Sequence, residues 1–131
     1  MTSLVSSRNT DRLSFYRTKH CFEKYGEFET IEEFIQYCQW AHENKVRIYI
    51  LGNGSNVLFK SKTVRSLILK NKLKETIKPL DNGRVEISSS AQIVEILKYC
   101  NAQSLESFYY LSSVPATIGG ALAMNAGRGR H

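Results

Sequence analysis

The stretch Val46-Arg47-Ile48-Tyr49-Ile50-Leu51-Gly52-Asn53-Gly54-Ser55-Asn56 decides the fold. Its first six residues are mostly β-branched, aromatic or aliphatic, the composition of a strand, and they run directly into a glycine-rich loop. Glycine leaves the backbone N–H groups uncovered and adopts positive φ, so such a loop can close around a phosphate. Asn53, Ser55 and Asn56 add short polar side chains that can brace the turn or bond phosphate and ribose oxygens. The same composition also suits a plain strand-to-strand connection in which Asn and Ser satisfy their own backbone.

Upstream, Thr30 followed by Glu33 forms a capping-box signature, and Ile31, Phe34, Ile35, Cys38 and Ala41 recur at helical spacing. This predicts a helix over 31–44, with Tyr37 and Trp40 at the margins of its apolar stripe. A short strand near Cys21-Phe22-Glu23-Lys24-Tyr25 precedes it, so residues 21–51 read as a βαβ unit with parallel strands. Residues 1–15, rich in Ser, Thr, Asn and Arg, read as a flexible lead-in, which leaves 16–131 as the folded domain. Two nucleotide-binding motifs are excluded. A Rossmann fingerprint needs a third glycine at position 57, where Val57 stands, and a helix opening from the loop; no Gly-Lys-Ser/Thr is present either.

Downstream, Val57-Leu58-Phe59 and Ser66-Leu67-Ile68-Leu69 read as short strands, and Asp81-Asn82-Gly83 turns into the alternating strand Arg84-Val85-Glu86-Ile87-Ser88. Ser89 with Gln92 suggests a second capping box, opening a helix with Ile93, Val94, Ile96, Leu97 and Cys100 buried and an end near Asn101. A second glycine-rich stretch follows: Val114-Pro115-Ala116-Thr117-Ile118-Gly119-Gly120-Ala121, continuing to Asn125-Ala126-Gly127. Pro115 holds Val114 extended, and Gly119-Gly120 remove side chains from a segment able to lie against a planar ring. Ala121 to Met124 would form a short helix with its N-terminal amides toward the same ligand. A glycine-relieved helix contact is the competing account. Together the two stretches suggest a chain that grips a dinucleotide from both sides.

The 131 residues are 42% apolar and carry a net charge of +6. The odd count of cysteines, Cys21, Cys38 and Cys100, lacks Cys-x-x-Cys spacing and forms no ligand rhythm with the histidines, which points to reduced thiols, no metal and a cytoplasmic location. No window approaches the roughly 20 apolar residues of a membrane span. The basic run Lys60, Lys62, Arg65, Lys70, Lys72, Lys74 and Lys78 reads as a solvated, lysine-studded edge strand and loop. Binding of nucleic acid or another acidic partner through it is the alternative function, disfavoured because the aromatics cluster elsewhere, at Phe15-Tyr16 and Phe108-Tyr109-Tyr110.

The two glycine stretches, in this order and separation, resemble the flavin-binding stretches of the UDP-N-acetylenolpyruvoylglucosamine reductase (UDP-N-acetylmuramate dehydrogenase, MurB-type) family. The resemblance covers roughly residues 16–127. It implies an α+β FAD-binding domain of the p-cresol methylhydroxylase/vanillyl-alcohol oxidase (PCMH/VAO) type: a small parallel βαβ subdomain plus a mixed or antiparallel sheet with helices. It implies that Gly52, Asn53, Gly54, Ser55 and Asn56 wrap the FAD pyrophosphate. Val114, Pro115, Ala116, Thr117, Gly119 and Gly120, with Asn125, Ala126 and Gly127, would line the pyrophosphate and approach the isoalloxazine. In such reductases the flavin takes hydride from NADPH and passes it to the enolpyruvyl double bond of a UDP-sugar, a step in peptidoglycan precursor synthesis.

The departures are specific. The family's usual Asn-x-Gly-Ala-Tyr-Gly reads Asn125-Ala126-Gly127-Arg128-Gly129-Arg130, and Ser88-Ser89-Ser90 replaces common glycine and alanine. The family's Gly-Tyr-Arg stretch, proton-donating serine and C-terminal glutamate would fall beyond a point equivalent to His131. No catalytic residue is therefore assigned, and the expected product of this sequence is a flavin-binding part that needs a further catalytic domain, missing or separately encoded.

Overall fold

The computed structural model describes residues 4–106 and 108–127. The chain divides into two compact units, 1–73 and 74–131, where the sequence suggested one domain after a flexible lead-in.

The first unit is a four-stranded sheet with one helix. Its strands are β1 (Ser6–Thr10), β2 (His20–Phe28), β3 (Ile48–Leu51) and β4 (Thr63–Asn71), with α1 (Ile31–Glu43) between β2 and β3. The spatial order is β1-β2-β4-β3. β4 pairs parallel with both β2 and β3, while β1 runs antiparallel to β2. The expected βαβ unit is therefore present with β4 inserted between its two strands, in the crossover arrangement that parallel strands require.

β4 is central, so its Leu67-Ile68-Leu69 run is buried on both faces. Leu67 and Leu69 pack with Phe28, Tyr37 and Ala41 under α1; Ile68 packs with Leu13, Phe22, Tyr25 and Leu51 on the other face. Val57 and Phe59 join that second cluster. The segment 57–59 was expected as a short strand but forms none, because no backbone ladder meets it.

Thr30 caps α1 with the complete capping box: its side chain accepts from the Glu33 amide at 3.1 Å, and Glu33 accepts from the Thr30 amide at 3.3 Å. Thr30→Ala is expected to cost about 1 kcal/mol, read as a shift in the urea midpoint at unchanged m-value. The buried face of α1 differs from the expected stripe. Tyr37 is buried, whereas Ile31 and Ile35 are about half exposed.

Residues 6–10 form β1 rather than part of a flexible lead-in. The strand is Ser-Ser-Arg-Asn-Thr with nearly every side chain exposed, so it carries no apolar alternation by which to read it. Arg8 gives it a purpose, stacking 4.2 Å from the Tyr25 ring centroid and reaching Glu27 at 3.5 Å.

Tyr25 Oη donates to Glu27 at 2.7 Å. Burial first, and that bond second, push the Tyr25 hydroxyl well above its ordinary pKa. Since the unfolded chain ionises this group near pH 10 and the fold does not, its stabilisation is complete below pH 10 and is lost as pH rises above it. Tyr37 shifts in the same direction, through burial. Denaturation midpoints measured on either side of pH 10 should therefore fall with pH, and less steeply in Tyr25→Phe.

The second unit holds a hairpin and two helices. β5 (Ile77–Pro79) and β6 (Val85–Ile87) pair antiparallel across the Asp81-Asn82-Gly83 turn, where Asn82 takes φ 62°. α2 (Ile93–Ala102) buries Ile93, Ile96 and Cys100, while Val94 is exposed. Its N-cap is Gln92, with no side-chain cap bond, so the expected Ser89 capping box does not form. Instead the Ile93 amide is taken by the Ala116 carbonyl at 3.0 Å. α3 (Ile118–Ala123) completes the unit. No helix among the described residues is long and apolar enough to cross a membrane.

Candidate functional site

β3 ends at Leu51 and the chain turns through Gly52-Asn53-Gly54-Ser55-Asn56. The turn is seated on the Leu13-Ser14-Phe15 segment. The Phe15 amide donates to the Gly54 carbonyl at 3.0 Å, and Ser14 Oγ donates to the Val57 carbonyl. Gly54 has φ +72°, and a Cβ there would lie 2.0 Å from the Leu13 carbonyl oxygen. No other residue fits this position.

With the loop's carbonyls held from one side, the amides of Gly54, Ser55 and Asn56 donate to no other described residue. Three successive uncommitted N–H groups in a tight turn are an anion-binding arrangement. Beside the loop runs a cleft of about 600 Å³, with Tyr49, Ile50, Leu58 and Phe59 on its walls and Lys60 and Arg65 among its basic residues. It is apolar enough for a ring and positively charged enough for a phosphate-bearing ligand.

Lys70 is the residue of this site that the sequence hid. It stands in the basic run read as a solvated edge, yet β4 is central and Lys70 is only partly exposed, its Nζ donating to the Gly52 carbonyl. Burial, and then Lys72, hold its pKa below the ordinary lysine value, with Glu27 opposing. Only its position in the register, opposite Leu51 on β3 and Glu27 on β2, distinguishes it from the exposed lysines around it.

The second glycine stretch is built differently from the expected flat loop. Gly119 and Gly120 lie in the first turn of α3, capped by Thr117, whose Oγ1 accepts from the Gly120 amide at 3.1 Å. The Ile118 amide donates to Ala91 at 2.8 Å and the Gly119 amide to Ser89 at 2.9 Å. The first-turn amides of α3 are thus spent within the unit, and the expectation that they point at a ligand is corrected. A Cβ on Gly119 would meet the Ser89 carbonyl oxygen at 2.9 Å, so the glycine-relieved contact weighed against a ring surface does exist here.

Ala116 and Thr117 are buried, Val114 half-buried and Pro115 exposed. Asn125, at φ 47°, closes α3: its amide bonds Leu122 at 3.1 Å and the Ala126 amide bonds Ala121 at 2.8 Å, a Schellman cap. Gly127 is exposed; Arg128 to His131 lie outside the described residues.

Residues 24–131 match the family described as FAD binding domain. The chain belongs to that family. Over 99 residues, 76% of this chain, it is 37% identical to the UDP-N-acetylenolpyruvoylglucosamine reductase of Listeria monocytogenes (strain EGD-e) and 35% identical to that of Clostridium botulinum (strain Eklund 17B). It spans about a third of the length of these relatives, 33% and 31%.

Among solved structures it resembles the same reductase (MurB) from Thermus caldophilus, with TM-score 0.67 at 18% identity over 95% of this chain and 44% of that one. A cholesterol oxidase from Brevibacterium sterolicum gives TM-score 0.68 at 19% identity over 94% and 25%. The fold is the PCMH/VAO-type FAD-binding fold.

Proposed function

We propose that this FAD-binding domain serves a UDP-N-acetylenolpyruvoylglucosamine reductase activity in the cytoplasm, with NADPH as electron donor and a UDP-sugar enolpyruvyl ether as substrate. Gly52 to Asn56 would take the FAD pyrophosphate on the amides of Gly54, Ser55 and Asn56. Val114 to Thr117, Gly119, Gly120 and Asn125 to Gly127 would contribute the second binding segment, their backbone held in shape by the Thr117 cap and the Schellman cap. FAD, when bound, supplies the hydride chemistry; the chain's part is to bind and orient it.

The observation that carries the reading is a loop of three uncommitted amides in a chain 37% identical to a reductase of that name over 99 residues. The basic-face alternative has nothing comparable behind it.

Adding hydride to the enolpyruvyl double bond leaves a carbanion that needs a placed acid. That acid is expected from a further catalytic domain. The chain should therefore take up FAD yet, once loaded, show no NADPH oxidation stimulated by the UDP-sugar. Stimulated turnover would refute the dependence on a further domain, and failure to retain FAD would refute the function itself.

A further inference from the structure

The first glycine loop is electrically neutral: Gly52, Asn53, Gly54, Ser55 and Asn56 carry no charge. A pyrophosphate diester carries two. Backbone amides supply partial charges only, and the loop's tight seating on Leu13 to Phe15 leaves no side chain of its own to add one. The charge comes from the strand next to it. Lys70 stands opposite Leu51 in the parallel β3–β4 register, and its ammonium bonds the carbonyl of Gly52, the first residue of the loop.

We propose that Lys70 is the positioning cation of the dinucleotide loop, fixing Gly52 so that the amides of Gly54, Ser55 and Asn56 stay uncommitted and adding a full positive charge to the pyrophosphate site. This rests on the reading that the loop takes the FAD pyrophosphate.

Two further facts fit the role. The Gly52 carbonyl is held by Lys70 and the Gly54 carbonyl by the Phe15 amide, so these two acceptors are engaged while the amides of Gly54, Ser55 and Asn56 donate to no described residue. An ammonium taken partly out of water is also an unsatisfied charge, and an arriving phosphate compensates it. Glu27 on β2 opposes it only partly, being engaged by Tyr25 and Arg8; Lys72, just past the end of β4, adds repulsion, and Leu51 and Gly52 bring no titratable group from the β3 side.

Anion binding then favours the protonated lysine. Because the Lys70 pKa in the free chain lies below 10.5, FAD affinity should decline as pH rises through it. Arginine at the same position keeps its charge throughout.

The test is the dissociation constant of FAD for the 131-residue chain, measured from about pH 7 up to the ordinary lysine value of 10.5 in wild type, Lys70→Met and Lys70→Arg, with thermal melts as a fold control. Loss of a charge-assisted bond should weaken FAD binding by about 10- to 100-fold in K70M at neutral pH. Wild type should weaken toward alkaline pH more than K70R does, the flavin's own ionisation being common to all three.

K70M binding FAD as tightly as wild type, or identical pH profiles for wild type and K70R, would overturn the role of Lys70 and leave the FAD reading intact. If K70M does not fold, the comparison of wild type with K70R decides. A folded wild type that binds no FAD at all would overturn both.

Discussion

Gly54→Ala should be the most damaging single change in the first glycine loop. Two costs add. The left-handed conformation at φ +72° disfavours any residue with a Cβ, and the new methyl would sit 2.0 Å from the Leu13 carbonyl oxygen, a backbone atom that cannot swing aside. Either the loop or the Leu13–Phe15 segment must move, which also breaks the 3.0 Å bond from Phe15 to Gly54. A loss of about 3 kcal/mol follows, or about 10 °C in Tm, with FAD affinity down by at least about tenfold. Gly83→Ala is the internal control. Gly83 has φ +70° with nothing within 4 Å of its added Cβ, so it incurs the conformational cost alone, about 1 kcal/mol. Equal losses in G54A and G83A would show that the seating of the loop on residues 13–15 is unimportant.

Gly26→Ala should be nearly as costly, and for a reason confined to one contact. A Cβ at Gly26 would lie 2.4 Å from Tyr37 Cε1 and 2.6 Å from Cζ. The Tyr37 ring therefore lies over the bare backbone of β2, and this is what buries it. Overpacking a stiff, buried ring against a strand costs about 2 kcal/mol. Elsewhere in a strand, Gly to Ala is mildly favourable because it restricts the unfolded chain. In a Tyr37→Ala background the same substitution should cost less than about 0.5 kcal/mol, a coupling that a double-mutant cycle in urea reads directly. Additive losses would place the effect of Gly26 outside this contact.

That pair also explains a misreading of the sequence. Helical periodicity ranks the faces of α1 by apolar content and puts Tyr37 at the margin, but which face is buried was set by a glycine on β2, outside the helix. The features that were legible were local ones: the Thr30–Glu33 capping box, the β-branched run of β3, the Ser66–Leu69 strand and the Asp-Asn-Gly turn. Each depends on residues within a few positions of one another. What escaped depends on long-range partners. β1 is all polar because it is an edge, the 57–59 segment alternates without a ladder, and the starts of α2 and α3 borrow each other's carbonyls in place of a Ser89 cap.

The same distinction holds at the candidate site. The first loop was readable because glycine after a strand signals backbone approach. In the second stretch, glycine content argued for a flat loop, whereas Thr117 three residues before Gly120 already carried an N-cap signal and the pairing of residues 91–93 with 116–118 completed the helix. Lys70 looked like one more surface lysine until the register placed it beside Gly52.

The most direct test follows the backbone amides by NMR while FAD is added to the isotope-labelled chain. The account predicts saturable shifts at Gly54, Ser55 and Asn56, whose N–H groups would receive the pyrophosphate, accompanied by shifts in the 114–120 stretch. Saturating FAD that leaves those three amides unmoved would contradict it.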